Sequence, residues 1–189
     1  MLNTHRNLNL FKRLGIIKRP SWSEYEAVIY RLLLNPCPTI QEIVERVTSQ
    51  VPSKWFSVAT HVRFAGYLAN SKEKTMMVRK TQLPFIAKMI RDVLNQNKVN
   101  NTQTVFIATD SSYGLKKLKT LLYPIQVLSN QQVKRGHSTG AKRNVVHSTL
   151  ADLFLLTRSK TLIGVDRSGF SYVAKALSRP KVVKWIHVY

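Results

Sequence analysis

The chain has 189 residues, 44% of them hydrophobic and only 21% charged, which gives it the bulk of one ordinary domain and excludes disorder as its main state. Thirty Lys and Arg stand against nine Asp and Glu, a formal charge of +21, so its natural ligands are expected to be anionic. A single cysteine, Cys37, excludes an internal disulfide and a multi-cysteine zinc site. No apolar run approaches the roughly 18 residues of a membrane-spanning helix, and the N-terminus has no signal-peptide core, so no transmembrane segment is expected.

The first twenty-odd residues carry Arg6, Lys12, Arg13, Lys18 and Arg19 with no acid before Glu24, and read as a basic connector broken at Pro20, with an organellar presequence as the alternative. Ser21 and Glu24 form a capping-box pattern ahead of Tyr25, Val28, Ile29 and Leu32, which predicts a helix to about Leu34. After Asn35-Pro36-Cys37-Pro38, Thr39 with Glu42 is expected to open a second helix whose stripe is Ile40, Ile43, Val44 and Val47. Residues 1–54 thus form a basic segment with two helices, and 55–189 a separate domain.

From Trp55 the pattern alternates. Strands are predicted over 55–62, 104–109, 125–128, 161–165 and from Val182, and helices over 81–95, after Asp110, around 150–156 and over 168–177. Asp110 is placed to cap the helix that follows it. The stretch 129–144, with Lys134, Arg135, Lys142 and Arg143, has no apolar period and reads as a long basic loop. Alternation of this kind predicts an α/β fold, a Rossmann-like parallel sheet with helices on both faces, which binds ligands at the carboxyl ends of its strands.

Four polar clusters are expected to converge on that edge: His61-Val62-Arg63, Asp110-Ser111, Asp152, and Asp166-Arg167-Ser168-Gly169. Arg63 can grip a phosphate bidentately, and the Ser168-Gly169-Phe170-Ser171 turn opens a helix whose free N–H groups and positive dipole end suit the same anion. A carboxylate such as Asp152 can accept from the adjacent N–H groups of guanine. No pair of carboxylates near a strand end and no His/Cys cluster has metal-ligand spacing, so no metal site is expected.

Three motifs resemble the fucosyltransferases that share a GDP-fucose-binding half, among them the α1,6- and α1,2-enzymes, the protein O-fucosyltransferases and the plant xyloglucan enzymes. They are His61-Val62-Arg63 with Tyr67; the strand Val105-Phe106-Ile107-Ala108-Thr109 running into Asp110-Ser111; and the run from Ala151-Asp152-Leu153 through Leu162-Ile163-Gly164 to Ser168-Gly169-Phe170-Ser171-Tyr172. The chain departs from many members at Phe64, Ala65 and Gly66, where a second arginine and an acid are usual.

The resemblance implies the donor-binding carboxyl-terminal half of a two-lobed GT-B glycosyltransferase, with 1–54 a remnant of, or linker to, the other lobe. Fucose would pass from GDP-fucose to a hydroxyl of a glycan or glycoprotein acceptor with inversion and without a metal or other cofactor. Arg63 would hold the β-phosphate and stabilise departing GDP, and Glu73 stands near the place of an acceptor base. His61 and Asp152 would contact guanine, Ser168, Gly169, Phe170 and Ser171 the diphosphate, and Asp110 the wall of the site. The family works in the Golgi. Two other readings use the same residues: a catalytically silent GDP-binding relative, and a basic module that binds polyanions or nucleic acid through charge alone, without a base-reading motif.

Overall fold

The computed structural model describes residues 30, 34–64, 78–96, 103–130, 143–166, 168–178 and 182–187. The chain divides into two compact units, 1–35 and 36–189. In the first, only Tyr30, Leu34 and Asn35 are described, with the Leu34 N–H bonded to the Tyr30 carbonyl at 2.8 Å; the rest of the helix expected before Leu34 lies outside the described residues.

The second unit opens with helix α1 (Pro38–Thr48), which buries Ile40, Ile43, Val44 and Val47. It starts two residues earlier than its capping-box pattern suggests. Pro38 takes the first helical position, where its fixed φ and missing N–H cost nothing, and Cys37 is the N-cap without a side-chain bond. Strands β1 (Phe56–Val62), β2 (Thr104–Thr109), β3 (Gln126–Leu128), β4 (Ser159–Val165) and β5 (Val182–Ile186) form one parallel sheet in the order β3-β2-β1-β4-β5. Helix α2 (Leu83–Gln96), led by a 3-10 turn at Lys80–Gln82, joins β1 to β2, and α3 (Ser112–Leu122) joins β2 to β3. Helix α4 (Arg143–Leu156) precedes β4, and α5 (Gly169–Leu177) joins β4 to β5. Among the described residues no helix is long and apolar enough to cross a membrane.

Right-handed crossovers decide which face each helix covers. The chain steps outward through β1, β2 and β3, then returns past β1 to β4 and β5, so α2 and α3 cover one face and α4 and α5 the other. Residue alternation agrees. Val58, Val62, Val105, Ile107, Ile163 and Val165 join the α2 and α3 side chains in one buried cluster. His61 meets Ser171 of α5 on the opposite side. Cover on both faces explains why β1 and β2 are buried along nearly their whole length rather than at alternate residues.

Thr60, fully buried in the central strand, has a hydroxyl with no hydrogen-bond partner among the described residues. A buried donor without a partner carries its desolvation cost uncompensated. Thr60→Val keeps the shape and removes that group, so it is expected to raise stability by about 1 kcal/mol in urea denaturation. A loss of stability would show that the hydroxyl has a partner in solution.

Candidate functional site

The connections reverse direction between β1 and β4, and at such a switch point the loops leave the sheet on opposite sides and open a crevice at the carboxyl ends. His61 and Arg63 stand at the end of β1, Asp110 at the end of β2, and Ser168 just beyond β4. Three of the four expected clusters are therefore gathered at one edge by topology alone.

His61 is buried, its ring tilted against that of Phe170 with centroids 4.8 Å apart. Its Nδ1 lies 2.9 Å from the Ser171 hydroxyl, which also accepts the Val165 N–H at 3.0 Å. Ser171 is fully buried, so its own proton needs an acceptor, and Nδ1 is the one beside it. That chain of bonds makes Nδ1 an acceptor and leaves the imidazole proton on Nε2. Desolvation, reinforced by the Arg63 charge, holds the His61 pKa down to about 3, so the ring is neutral near pH 7. It can offer a fixed N–H donor without competing with Arg63 for an anion.

Arg63 is half-buried, and its carbonyl accepts the Val78 N–H at 2.8 Å, which ties the returning chain to the strand end. Asp110 does not cap α3 as the sequence suggests. Ser111 does, accepting the Gly114 N–H at 3.1 Å, while Asp110 Oδ1 accepts the backbone N–H of Phe64 at 2.9 Å. Asp110 thereby fastens the residue next to Arg63 across two strand ends. The Phe64 ring lies directly on Gly114, where a Cβ would overlap it. Sequence reading missed this clasp because neither Phe64 nor Gly114 carries a chemical signal.

Ser168 is the N-cap of α5 but its side chain makes no capping bond; the hydroxyl is buried and has no partner among the described residues. The first N–H groups of a helix have no acceptor within it. Gly169, exposed and with open space where a Cβ would sit, leaves that helix end approachable. Asp166, from the same cluster, is turned toward β5: its carboxylate accepts the Tyr172 hydroxyl at 3.3 Å and sits 3.4 Å from His187 Nδ1. Arg167 lies outside the described residues.

Asp152 stands on α4 rather than at a strand end. Helix α4 begins at Arg143, some seven residues before the expected start, so Asp152 is its tenth residue rather than one near its opening. Ser148 of α4 is level with Asn130, whose side-chain amide donates to its carbonyl and hydroxyl oxygens. Asp152 is one turn deeper, about 6 Å along the helix axis toward the other end of the sheet. It is half-buried, with Oδ1 shielded from solvent, in the helix layer that covers the face His61 points to. Glu73 and Tyr67 lie outside the described residues. Among the described residues no three His, Cys, Asp or Glu side chains form a metal-binding group.

No family model and no curated protein sequence matches the chain. Solved structures do match. The NodZ α-1,6-fucosyltransferase soaked with GDP-fucose aligns with a TM-score of 0.52 and 21% identity over 78% of this chain and 44% of that one. The fucosyltransferase NodZ from Bradyrhizobium gives 0.51 and 18% over the same shares, 78% and 44%. POFUT1 in its apo form gives 0.49 and 16% over 79% and 46%. The chain thus spans less than half the length of each. At such identities the likeness is one of fold: the five-stranded parallel sheet and its helices are similar to part of a fucosyltransferase.

Proposed function

We propose that the chain is the donor-binding half of a glycosyltransferase that takes fucose from GDP-fucose. The observation that carries this reading is the buried Ser168 hydroxyl at the N-terminus of α5, without a partner among the described residues, just beyond the strand next to the one that leads into Arg63. A diphosphate suits the groups there: Ser168 Oγ and the Gly169 and Phe170 N–H groups on one side, the Arg63 guanidinium on the other. His61, with its Nε2 proton, and Asp152 are assigned to guanine. Ser171 acts through His61 by fixing its tautomer, and Asp110 through Arg63 by holding the strand-end loop.

In the reaction an acceptor hydroxyl oxygen bonds to C1 of fucose from the face opposite the diphosphate. The C1–O bond to the β-phosphate breaks, its electron pair stays on GDP, and the hydroxyl proton passes to a base, for which Glu73 is the candidate. Negative charge grows on the leaving phosphate, where a preorganised arginine and helix N–H groups act more strongly than on the ground state. The proposal calls for no metal, because these groups supply the positive potential. The acceptor is a glycan or glycoprotein hydroxyl.

Calorimetric titration with GDP, UDP and ADP, each with and without EDTA, tests the donor site. GDP is expected to bind selectively and independently of EDTA. Arg63→Ala removes a charged hydrogen-bonding group worth about 1.5–3 kcal/mol, a loss of roughly 10- to 100-fold in affinity, and Asp152→Ala blurs the preference for guanine. Equal binding of all three nucleotides with a steep salt dependence would replace the reading with polyanion binding. Selective GDP binding without transfer to any acceptor would make the chain a silent relative.

A further inference from the structure

Beside the proposed donor site, the 3-10 turn and the first turn of α3 meet at the same carboxyl edge. The Val78–Arg63 backbone bond brings the returning chain back to the end of β1, and two residues later Lys80 Nζ stands 5.0 Å from the centre of the Tyr113 ring. Tyr113 is 52% exposed and directly precedes Gly114, the residue under Phe64, so it is joined to Arg63 through the Phe64 clasp. Lys116 and Lys117, three and four residues on, are exposed on the same side of α3 as Tyr113. Among the described residues none of these three lysines pairs with a carboxylate, and the nearby Asp110 is engaged with the Phe64 N–H.

An exposed ring offers the apolar face on which one sugar ring can lie, and unpaired lysines around it match acidic substituents at that sugar's rim. Among the described residues no series of stacking rings continues from Tyr113, unlike the platforms that track single-stranded nucleic acid. We propose that the acceptor is an anionic oligosaccharide, its rings bearing carboxylate or sulfate, seated on Tyr113 among Lys80, Lys116 and Lys117. Its role as acceptor rests on the donor-site reading; the binding surface itself does not.

The test titrates the whole chain at 150 mM salt with hexagalacturonate, its neutral methyl ester, and an oligouridylate of equal charge. Hexagalacturonate is expected to bind best. Tyr113→Ala, which leaves the charge at neutral pH unchanged, is expected to weaken it roughly tenfold through lost stacking. Lys80→Ala with Lys117→Ala is expected to weaken it far more than Lys54→Ala with Lys160→Ala, an equal charge change at the opposite end of the sheet. None of these variants should alter GDP affinity. Equal losses from both lysine pairs with no effect of Tyr113→Ala, or tighter binding of oligouridylate, would overturn the inference while leaving GDP binding intact. Tyr113-dependent hexagalacturonate binding without any GDP binding would keep the surface and remove the donor reading, and with it the acceptor role.

Discussion

Gly164→Ala is expected to destabilise the protein by about 2–3 kcal/mol, whereas Gly169→Ala, five residues away, should change stability by less than about 0.5 kcal/mol. Gly164 lies in β4, paired in register with Trp185 of β5. A Cβ there would come within 2.8 Å of Trp185 Cζ3 and 2.9 Å of Ser171 Cβ. The ring tip can yield alone, but the Ser171 Cβ is anchored on the backbone of α5, so the helix itself must move. Its movement stretches the hydroxyl bonds to Val165 and His61. The usual gain of replacing a strand glycine, roughly 0.5–1 kcal/mol, offsets only part of this. Gly169 meets nothing within 4 Å, so its glycine is unexplained by packing and fits the close approach of a ligand. Urea denaturation checks the stabilities, and GDP titration should find Gly169→Ala impaired despite its normal fold. A neutral Gly164→Ala would show that α5 is not seated on β4 as described.

The contrast between these glycines marks how much the sequence discloses. The parallel sheet was legible because cover on both faces leaves apolar runs: β2 emerges at 104–109 as its composition predicts, and β1 and β4 within two residues. The start of α4 was not. Arg143-Asn144-Val145-Val146-His147-Ser148-Thr149 is a run of mostly weak helix formers that continues the polarity of the preceding basic tract, and its helical state depends on packing against α1 and the sheet. That shift moves Asp152 down the helix. Thr109-Asp110-Ser111-Ser112 offers several side chains able to cap, and sequence cannot choose among them. The choice falls to Ser111 because the loop after β1 brings the Phe64 N–H to Asp110. Likewise His61, Arg63 and Ser168 were identifiable from their positions after strands, but the role of Ser171 as the partner that orients His61 spans 110 residues and exists only in the fold.

That partnership sets the second large effect. Between pH 7 and pH 4 the protein is expected to lose about 3 kcal/mol of stability through His61 alone. Its folded pKa, about 3, lies below the ordinary histidine value of 6.5, chiefly through desolvation and secondarily through Arg63. The unfolded chain therefore binds a proton in this window that the folded chain refuses. Stability is full above pH 6.5 and falls by up to about 1.4 kcal/mol per unit as pH drops toward 3. Protonation is opposed on two sides: Arg63 repels the cation, and Nδ1 already accepts from a serine whose oxygen is committed to the Val165 N–H. His61→Gln keeps a polar group able to bond Ser171 but cannot titrate. Its stability at pH 7 should be lower than wild type, while its urea midpoint should change less between pH 7 and pH 4. Subtracting the two profiles removes whatever is common to both proteins. Parallel profiles would mean that His61 protonates freely in the folded state, and the neutral, Nε2-protonated ring assigned to the guanine contact would have to be abandoned.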